Sequence, residues 1–497
     1  MTQKAPPPDL TSGPVASTLF LFALPVLGMS VLQSMNGSVN SILVSRLLGE
    51  QALTATSNAN LVLFLILGAV FGIGMSATII MAQAVGANDW HKARRIVGTS
   101  ATFFFVASAI MAILGWIWTD AILNALGTPA DALPLARDYL KIIFVATPML
   151  NLMSFVMTVL RGAGDARTPF VFMTLSVILD ICFNPFFIFG LGPVPAMGIA
   201  GSAAATLASQ AVTLLAITIL LYARKHPLRL AGPDLALLKP DPQILWVIVV
   251  KGVPMGLQMI VISSAALSLM GLVNSYGSSV AAAYGIAAQL WTYVQMPALA
   301  IGAAVSTMAA QNVGAAHWDR IGRITAAGVC FNILLTGAMV ALLLIFEHSV
   351  LGLFLSENNE AFKIAGNINS VASWSFILFG ITTVLFATVR ATGAVIPPLL
   401  ILAFSLLAVR TTFAYSLQPM LGDQAIWWSF AVGSVSSLVL AIGYYFLGRW
   451  RSKSTTIEHH LTTGQAPETG LGVQCIPSGR TENNNHRTGA VSGLSLA

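Results

Sequence analysis

Charged residues are scarce in this sequence. They make up only 8% of its 497 residues, while 56% are hydrophobic. Soluble domains carry about 25% charged residues, so this shortage excludes an ordinary water-soluble protein and indicates an integral membrane protein in a lipid bilayer. The net charge of +6 comes from the connections between apolar segments. We therefore expect no nucleic-acid partner.

Cysteine is also rare, with Cys182, Cys330 and Cys475 the only three. Neither these nor the seven histidines show the spacing of a zinc site or a disulfide framework. Walker, Rossmann, kinase and hydrolase motifs are absent as well. We expect no metal, no cofactor, no ATP-driven step and no enzymatic activity.

Long apolar runs are abundant instead. A helix needs about 20 apolar residues to cross a bilayer, and about twelve such runs occur, six in each half of the chain. They predict an all-α integral membrane protein with twelve transmembrane helices. The predicted spans are residues 17–44, 56–82, 96–118, 138–160, 169–192, 199–223, 246–274, 280–309, 323–346, 366–389, 397–417 and 426–447.

The chain contains an internal repeat. Residues 82–96, AQAVGANDWHKARRI, return at 310–324 as AQNVGAAHWDRIGRI, 228 positions later and with eight identities in fifteen. The segment from Arg161 to Gly164 and Pro169 return 229 residues later. We predict two six-helix bundles. Because each bundle has an even number of spans, a pseudo-two-fold axis along the membrane normal should relate them, as is typical of transporters.

The repeat sets the predicted domain organisation. An amino-terminal lobe covers residues 17–223 and a carboxy-terminal lobe covers 244–447, and the basic linker 224–243 joins them. Residues 1–16 form a terminal segment. Residues 448–497 form a polar tail without periodicity, which we expect to be disordered.

Basic residues fall mainly in alternate connections. Fifteen lie in one set of loops and after the last span, whereas the opposite loops and nearby helix ends hold four. By the positive-inside rule, the larger set and both termini face the cytoplasm, and we expect a multi-pass protein of the bacterial inner (plasma) membrane. The larger set is Lys92, Arg94, Arg95, Arg161, Arg167, Arg224, Lys225, Arg229, Lys239, Arg320, Arg323, Arg390, Arg449, Arg451 and Lys453, and the smaller set is Arg46, Arg137, Lys141 and Lys363.

Two charged residues, Asp180 and Arg410, are predicted to lie deep in the spans. A central Asp costs about 2.5–3.5 kcal/mol on insertion scales and is usually functional. The repeat shift places Arg410 next to the counterpart of Asp180, so the halves present opposite charges at equivalent depths. Low dielectric favours the neutral form of a carboxylic acid, which suits a proton carrier. The alternative is an Asp180 that only hydrogen-bonds to neighbouring helices.

Polar side chains also form a stripe on the first span. Gln33, Asn36 and Asn40 are three or four residues apart and therefore share one helix face. Such a face suits a water-filled cavity, and equally suits hydrogen bonds between helices. Asn151 and Thr206 are further polar residues inside the spans.

Proline and glycine mark corresponding positions of the two halves. Pro25 and Pro254 lie inside the first and seventh spans, where they predict kinks or moving hinges. Gly86 and Gly314 end the second and eighth spans before basic loops, and we interpret both as C-capping glycines.

Several motifs are spread over residues 15–450. They are LPVLGMSVLQ, AQAVGANDWHKARR, RGAGDARTP, DICFNPFFIFGLG followed by GIAGSAAAT, and in the second half GVPMGLQ and AQNVGAAHWDR. Together they resemble the multidrug and toxic compound extrusion (MATE) family, in particular the branch that includes the DNA-damage-inducible transporters. The resemblance implies two six-helix lobes around a V-shaped cleft. It also implies export of amphiphilic, often cationic compounds against an inward H⁺ or Na⁺ gradient.

The resemblance also implies roles for individual residues. Asn40 stands where the family usually carries an acid, and in the fifth span Asp180 precedes Asn184, the reverse of the family order. Asn40, Asn151, Asn184 and Thr206 resemble polar positions of the family's amino-terminal cavity. We expect Asp180 and Asn184 to couple the ion or proton, and our own hypothesis is that Asn184 and Asn151 hydrogen-bond to the two protonation states of Asp180. With the polar and charged residues found in the spans, the expected substrate cavity consists of Gln33, Asn36, Asn40, Asn151, Thr206 and Arg410.

We predict a monomeric secondary-active multidrug efflux transporter. It would export small amphiphilic, cationic compounds in exchange for H⁺ or Na⁺ by alternating access. The alternatives are a lipid-precursor flippase of the same superfamily, an integral-membrane enzyme and a channel. An enzyme would need clustered acids, histidines or metal ligands, and a channel would need a filter loop, and neither feature is recognisable in the sequence.

The orientation can be tested with Cys475 in the predicted cytoplasmic tail. In a variant that carries Cys182→Ser and Cys330→Ser, a membrane-impermeant maleimide should label the protein only after lysis. The same variant with Cys475→Ser added gives the background. Labelling of Cys475 in sealed cells would contradict the predicted orientation.

Overall fold

The computed structural model describes residues 9–129, 131–190, 195–355 and 360–451. Every regular element in these residues is a helix, and no strand occurs among them. The prediction of an all-α protein is therefore confirmed. Residues 1–8 and most of the predicted tail, with Cys475, lie outside the described residues.

Twelve helical segments occupy the places of the twelve predicted spans. Ten helices in the described part of the chain are long and apolar enough to cross a membrane, and a bent pair provides an eleventh. Helix α2, with 37 residues, fills the remaining place. The segments are α1 Val15–Leu48, α2 Glu50–Gly86, α3 Trp90–Ile117, α4 Leu133–Gly162, α5 Arg167–Phe189, α6 Ile199–Ala223, α7 Pro242–Asn274, α8 Ser278–Gly314, α9 Trp318–Ile345, α10 Glu360–Ala372 with Ser375–Ala391, α11 Ile396–Leu421 and α12 Gln424–Leu447.

Corresponding turns of the two halves have the same backbone conformation. Gly49 separates α1 from α2 and Gly277 separates α7 from α8, and both have positive φ, 87° and 99°. Only glycine adopts such angles without a steric penalty. After α2 and α8 the chain turns through Asn88 and Ala316, with φ of 58° and 60°. The repeat seen in the sequence is therefore also a repeat of local structure.

Two spans depart from a single regular α-helix. Helix α10 bends by 44° between Ala372 and Ser375, where the Ser375 hydroxyl donates to the carbonyl of Ala372 at 2.6 Å. A serine that bonds to a nearby carbonyl competes with the helical hydrogen bonds. In α11 the segment Phe404–Arg410 is π-helical. Hydrophobic periodicity locates a span but does not reveal such local changes of pitch.

The predicted linker 224–243 is packed onto the amino-terminal lobe. Its segment Gly232–Leu238 forms a 3₁₀ helix. Arg94 of α3 forms an ion pair with Asp234 at 3.2 Å, and the Thr102 hydroxyl of α3 donates to the carbonyl of Leu238 at 2.7 Å. The linker therefore fixes the start of α7 relative to α3.

The two lobes pack together through corresponding helices. Helix α2 packs along α7, and α1 packs along α8. Helix α7 corresponds to α1, and α8 corresponds to α2. The pseudo-two-fold axis therefore relates the contact between α2 and α7 to the contact between α8 and α1. Helices α2 and α7 approach each other closely at two glycines, since a Cβ on Gly72 of α2 would lie 2.2 Å from the backbone nitrogen of Gly256 in α7. Close backbone packing of this kind is typical of helices in lipid.

The interpretation of Gly86 and Gly314 as C-capping glycines is wrong. The capping residues are Ala87 and Ala315. A Cβ on Gly86 would lie 1.9 Å from the carbonyl oxygen of Gln311 in the opposite lobe, and one on Gly314 would lie 1.9 Å from that of Gln83. The glycines are required because two backbones meet here. We call this part of the bundle, where the predicted cytoplasmic loops lie, the basic end.

This contact predicts that a methyl group at either glycine separates the lobes at the basic end. Spin labels at His91 and Asp319, exposed repeat mates, would report the distance by double electron–electron resonance. We expect Gly86→Ala and Gly314→Ala to lengthen it by about 1–2 Å, the shift that restores ordinary van der Waals separation, because a backbone atom cannot move aside as a side chain can. Gly322→Ala is the matched control, since a Cβ there meets nothing within 4 Å. An unchanged distance in both variants would contradict the close-contact interpretation.

Candidate functional site

Asp180 is the central residue of a buried polar cluster in the amino-terminal lobe. It lies thirteen residues after Arg167, about 20 Å along α5 at 1.5 Å per residue, and its side chain is 3% exposed. The Thr206 hydroxyl of α6 donates to its carboxylate oxygen at 3.0 Å. Asn36 of α1 and Ser209 of α6 also interact with the carboxylate. The acid therefore sits where α1, α5 and α6 meet.

Helix α6 carries a stripe of hydroxyl residues on the face that includes Thr206. Ser202, Thr206, Ser209 and Thr213 follow one another at spacings of four, three and four residues, so they share one helix face. The Ser202 hydroxyl donates to the side-chain oxygen of Asn40 in α1 at 3.0 Å. The sequence prediction included Thr206 but missed Ser202 and Ser209. The helical spacing of hydroxyl residues is the sequence feature that would have found them.

Tyr139 of α4 is a further member of the cluster that the sequence prediction missed. Its side chain is 3% exposed, it forms a hydrogen bond with Asn40, and it interacts electrostatically with Asp180. A buried tyrosine usually needs a hydrogen-bond partner for its hydroxyl. Tyr139 and Asn40 thus extend the polar cluster from α5 and α6 to α4 and α1.

The structure gives Asn184 and Asn151 partners other than the Asp180 carboxylate. The Asn184 amide donates to the backbone carbonyl of Asp180 at 2.9 Å, one helical turn earlier. The Asn151 amide donates to the hydroxyl of Ser108 in α3 at 3.1 Å. The expectation that these amides bond to the carboxylate is therefore wrong for this conformation. The Asn184 side-chain oxygen is buried without a hydrogen-bond partner, so it remains an available acceptor beside Asp180.

Two residues assigned to the predicted cavity lie apart from this cluster. Gln33 is an exposed residue of α1. Arg410 is in α11 of the other lobe, where its guanidinium stacks on Phe430. The deep acid and the deep base therefore lie in different lobes, and each lobe holds a deep charge of its own.

The lobes exchange equivalent hydrogen bonds at the basic end. The Gln83 amide of α2 donates to the carbonyl of Ala391 in α10 at 2.6 Å. The Gln311 amide of α8 donates to the carbonyl of Gly162 in α4 at 2.8 Å. Gln83 and Gln311 are repeat mates, and so are Gly162 and Ala391. Each glutamine therefore binds the carbonyl end of a helix in the opposite lobe.

A short segment before α1 packs on α8 and α9, just as the linker before α7 packs on α3. The Asn312 amide of α8 donates to the carbonyl of Leu10 at 3.0 Å. The Arg320 guanidinium donates to the carbonyls of Ser12 and Gly13 at 3.2 Å and 3.1 Å. The Leu10 side chain is fully buried. This segment links the start of α1 to α8 and α9 of the carboxy-terminal lobe.

A duplicated bundle of membrane helices with a buried carboxylate in one lobe is typical of a membrane transporter. The comparisons with known proteins agree. The MatE family model matches residues 25–186 and again residues 254–416, which is the duplication predicted from the sequence. The chain belongs to this family, the multidrug and toxic compound extrusion (MATE) family of transporters, and it is not an enzyme.

Relatives and solved structures resemble nearly the whole chain. It is 35% identical over 458 residues to the probable multidrug resistance protein YoeA of Bacillus subtilis (strain 168), covering 92% of this chain and 97% of that protein. It is 26% identical over 348 residues to an FAD transporter of Shewanella oneidensis, covering 70% and 76%. A multidrug resistance MATE family transporter in an outward-facing conformation has a TM-score of 0.79 at 22% identity, covering 90% of this chain and 98% of that one. This last likeness supports the fold alone.

The hydrogen bonds of Arg320 lead to a prediction about the segment Leu10–Gly13. Arg320→Gln removes the charge that binds two carbonyls, and hydrogen bonds to charged groups contribute about 1.5–3 kcal/mol. We expect amide hydrogen exchange in this segment to become about tenfold faster or more, measured by mass spectrometry. Arg323→Gln, at an exposed position of the same helix, should leave the segment unchanged. Equal exchange in both variants would show that Arg320 does not hold the segment.

Proposed function

We propose that the protein is a secondary-active multidrug exporter that exchanges amphiphilic organic compounds, including cationic ones, for H⁺ or Na⁺. The observation that carries this proposal is Asp180, a buried carboxylate in the amino-terminal lobe. Its interacting neighbours, Thr206, Asn36 and Ser209, are all uncharged donors. A negative charge in lipid without a basic partner is costly, so a proton, a metal cation or an organic cation would stabilise it.

Exchange follows if these cations compete for one carboxylate. A proton that enters from outside neutralises Asp180 and weakens the binding of a cationic compound, and release of the proton inside restores the charge. The hydroxyl and amide oxygens around Asp180 are hard ligands that would also suit Na⁺. The name of YoeA as a probable multidrug resistance protein supports export of varied compounds. The FAD transporter among the relatives leaves the substrate class open within the family.

Alternating access requires the contact between the lobes to open and close. We place the basic end at the cytoplasm of a bacterial inner membrane, because its loops carry most of the basic residues. The contacts of Gln83 and Gln311 would then close the cytoplasmic side, and breaking them would open it. Pro25 and Pro254 lie inside the unbroken helices α1 and α7, which we propose as the elements that bend. A single chain contains both lobes, so a monomer suffices.

This proposal predicts that Asp180→Asn abolishes coupling without loss of the protein. The change removes a costly charge and keeps the size of the side chain, so the variant should reach normal abundance in the membrane. In proteoliposomes, export driven by a pH gradient should fall to the level of empty vesicles. Asp138→Asn, at an exposed position of α4, is the matched control and should transport normally.

The ion is identified in the same vesicles. A Na⁺ gradient without a pH gradient should drive export only if Na⁺ is the coupling ion. Whichever ion drives export, the Asp180→Asn variant should lose that export. A drug-susceptibility panel in cells that overproduce the protein identifies the transported compounds. Export by Asp180→Asn with an unchanged pH dependence would sink the proposal that Asp180 couples the ion.

A further inference from the structure

Arg410 is a deep basic residue in the carboxy-terminal lobe for which the proposed export mechanism has no use. It lies fourteen residues into α11 and eleven before its end at Leu421, about 21 Å along the helix at 1.5 Å per residue. That position is near the middle of the span. An arginine at such depth costs about 2.5–3.5 kcal/mol on insertion scales and is by default a candidate for function.

No acidic residue compensates this charge. Among the described residues, Arg410 forms no ion pair, and its Nε atom is buried without a hydrogen-bond partner. Within the described ranges, the guanidinium interacts electrostatically with one titratable group, Tyr284 of α8. A purely structural arginine in lipid would be expected to bond to a carboxylate or to backbone carbonyls, and neither type of bond occurs in the part of the chain that the structure describes.

One face of the guanidinium is occupied by an aromatic ring. The Cζ atom of Arg410 lies 3.7 Å from the centre of the Phe430 ring in α12, which is a cation–π contact. This contact covers the flat face of the guanidinium and does not involve the N–H groups along its edge. Those edge donors have the fork geometry that matches a carboxylate, sulfonate or phosphate group.

Further aromatic rings stand next to this charge. Phe430 packs against Trp291 of α8 with 4.9 Å between ring centres, and Tyr284 stacks on Trp427 with 6.0 Å between centres. Trp427 is fully buried, whereas Tyr284 and Phe430 are partly accessible. The accessible parts of Tyr284 and Phe430, whose rings are tilted by 48° to each other, provide apolar contact area next to Arg410.

The backbone of two helices is adapted to the position of Arg410. Gly433 of α12 leaves room for its aliphatic stem, since a Cβ there would lie 3.1 Å from the Arg410 Cβ atom. Arg410 is also the last residue of the π-helical segment Phe404–Arg410, and such segments are frequent at functional sites. The stem is thus held from one side while the guanidinium edge remains free.

We propose that Arg410, with Tyr284 and Phe430, forms a binding site for aromatic compounds that carry an anionic group. The carboxylate, sulfonate or phosphate of the ligand binds the edge of the guanidinium, and its ring packs on the neighbouring aromatic side chains. This inference rests on the proposed transport function and extends its substrate class, because the amino-terminal lobe holds an acid and the carboxy-terminal lobe a base. Acidic and zwitterionic aromatic compounds would then be substrates as well as cations.

The test uses two probes with the same ring and opposite charge. Naphthalene-2-sulfonate and 2-naphthyltrimethylammonium are titrated by calorimetry into the full-length protein in phosphatidylcholine nanodiscs, with empty nanodiscs as the blank. Wild-type protein should bind the sulfonate, and Arg410→Gln should bind it at least tenfold more weakly. Arg137→Gln removes an arginine from an exposed ion pair with Asp120 and should bind as wild type does.

Two further variants separate a binding role from a structural one. Arg410→Lys keeps the charge but loses the planar fork, so it should fold and bind the sulfonate with intermediate affinity. Gly433→Val keeps the arginine but displaces its stem, and should weaken sulfonate binding while the thermal unfolding midpoint confirms a folded protein. If Arg410→Gln does not fold, these two variants still decide the question.

The possible outcomes distinguish this site from the coupling site. Sulfonate binding that is lost in Arg410→Gln and retained in Asp180→Asn supports the proposal, even if export turns out not to depend on Asp180. Binding should also stay constant between about pH 5 and 9, since a sulfonate and an arginine both remain charged there. Equal sulfonate affinity in wild type and Arg410→Gln, or binding of the trimethylammonium probe alone, would overturn it.

Discussion

The two repeats meet backbone to backbone at the basic end, and the rest of the structure depends on this contact. Gly86 and Gly314 place no side chain between themselves and the carbonyl oxygens of Gln311 and Gln83. The hydrogen bonds of the two glutamines then join each lobe to a helix end of the other. Apolar side chains gain little free energy when they move from lipid into contact between helices. Close packing and hydrogen bonds therefore hold helices together in a membrane.

The two deep charges, Asp180 and Arg410, have surroundings that differ from the contact between the lobes. Asp180 is surrounded by uncharged donors from α1 and α6, and Arg410 by aromatic rings from α8 and α12. Neither charge neutralises the other, because each lies within its own lobe. Hydrogen bonds to Asp180 and the cation–π contact of Arg410 offset part of their cost in lipid. The proposals above assign the rest to a mobile partner, which is a cation at Asp180 and an anionic compound at Arg410.

The segment Leu10–Gly13 and its counterpart before α7 are held by different residues. Asn312 and Arg320, which bind the first segment, correspond to Ala84 and Lys92 in the other repeat, whereas other residues of α3 bind the linker before α7. The start of α1 is therefore attached to the carboxy-terminal lobe, while the rest of α1 contributes Asn36 and Asn40 to the Asp180 cluster. Helix α1 therefore takes part both in the Asp180 cluster and in the attachment to the carboxy-terminal lobe at the basic end.

The sequence by itself determined the membrane class, the duplication, the twelve spans and Asp180 and Arg410 as the deep charges, because scarcity of charge, apolar length and repeat spacing are properties of the chain alone. It did not determine why Gly86 and Gly314 are glycines, since the atoms that exclude a side chain belong to residues 225 and 231 positions away along the chain. Nor did it reveal Tyr139 and Ser202 as members of the acid cluster, or that Asn151 bonds to Ser108 and not to Asp180. Periodicity gives the face of a helix on which a residue lies. Which neighbour that face meets is decided only when the helices pack.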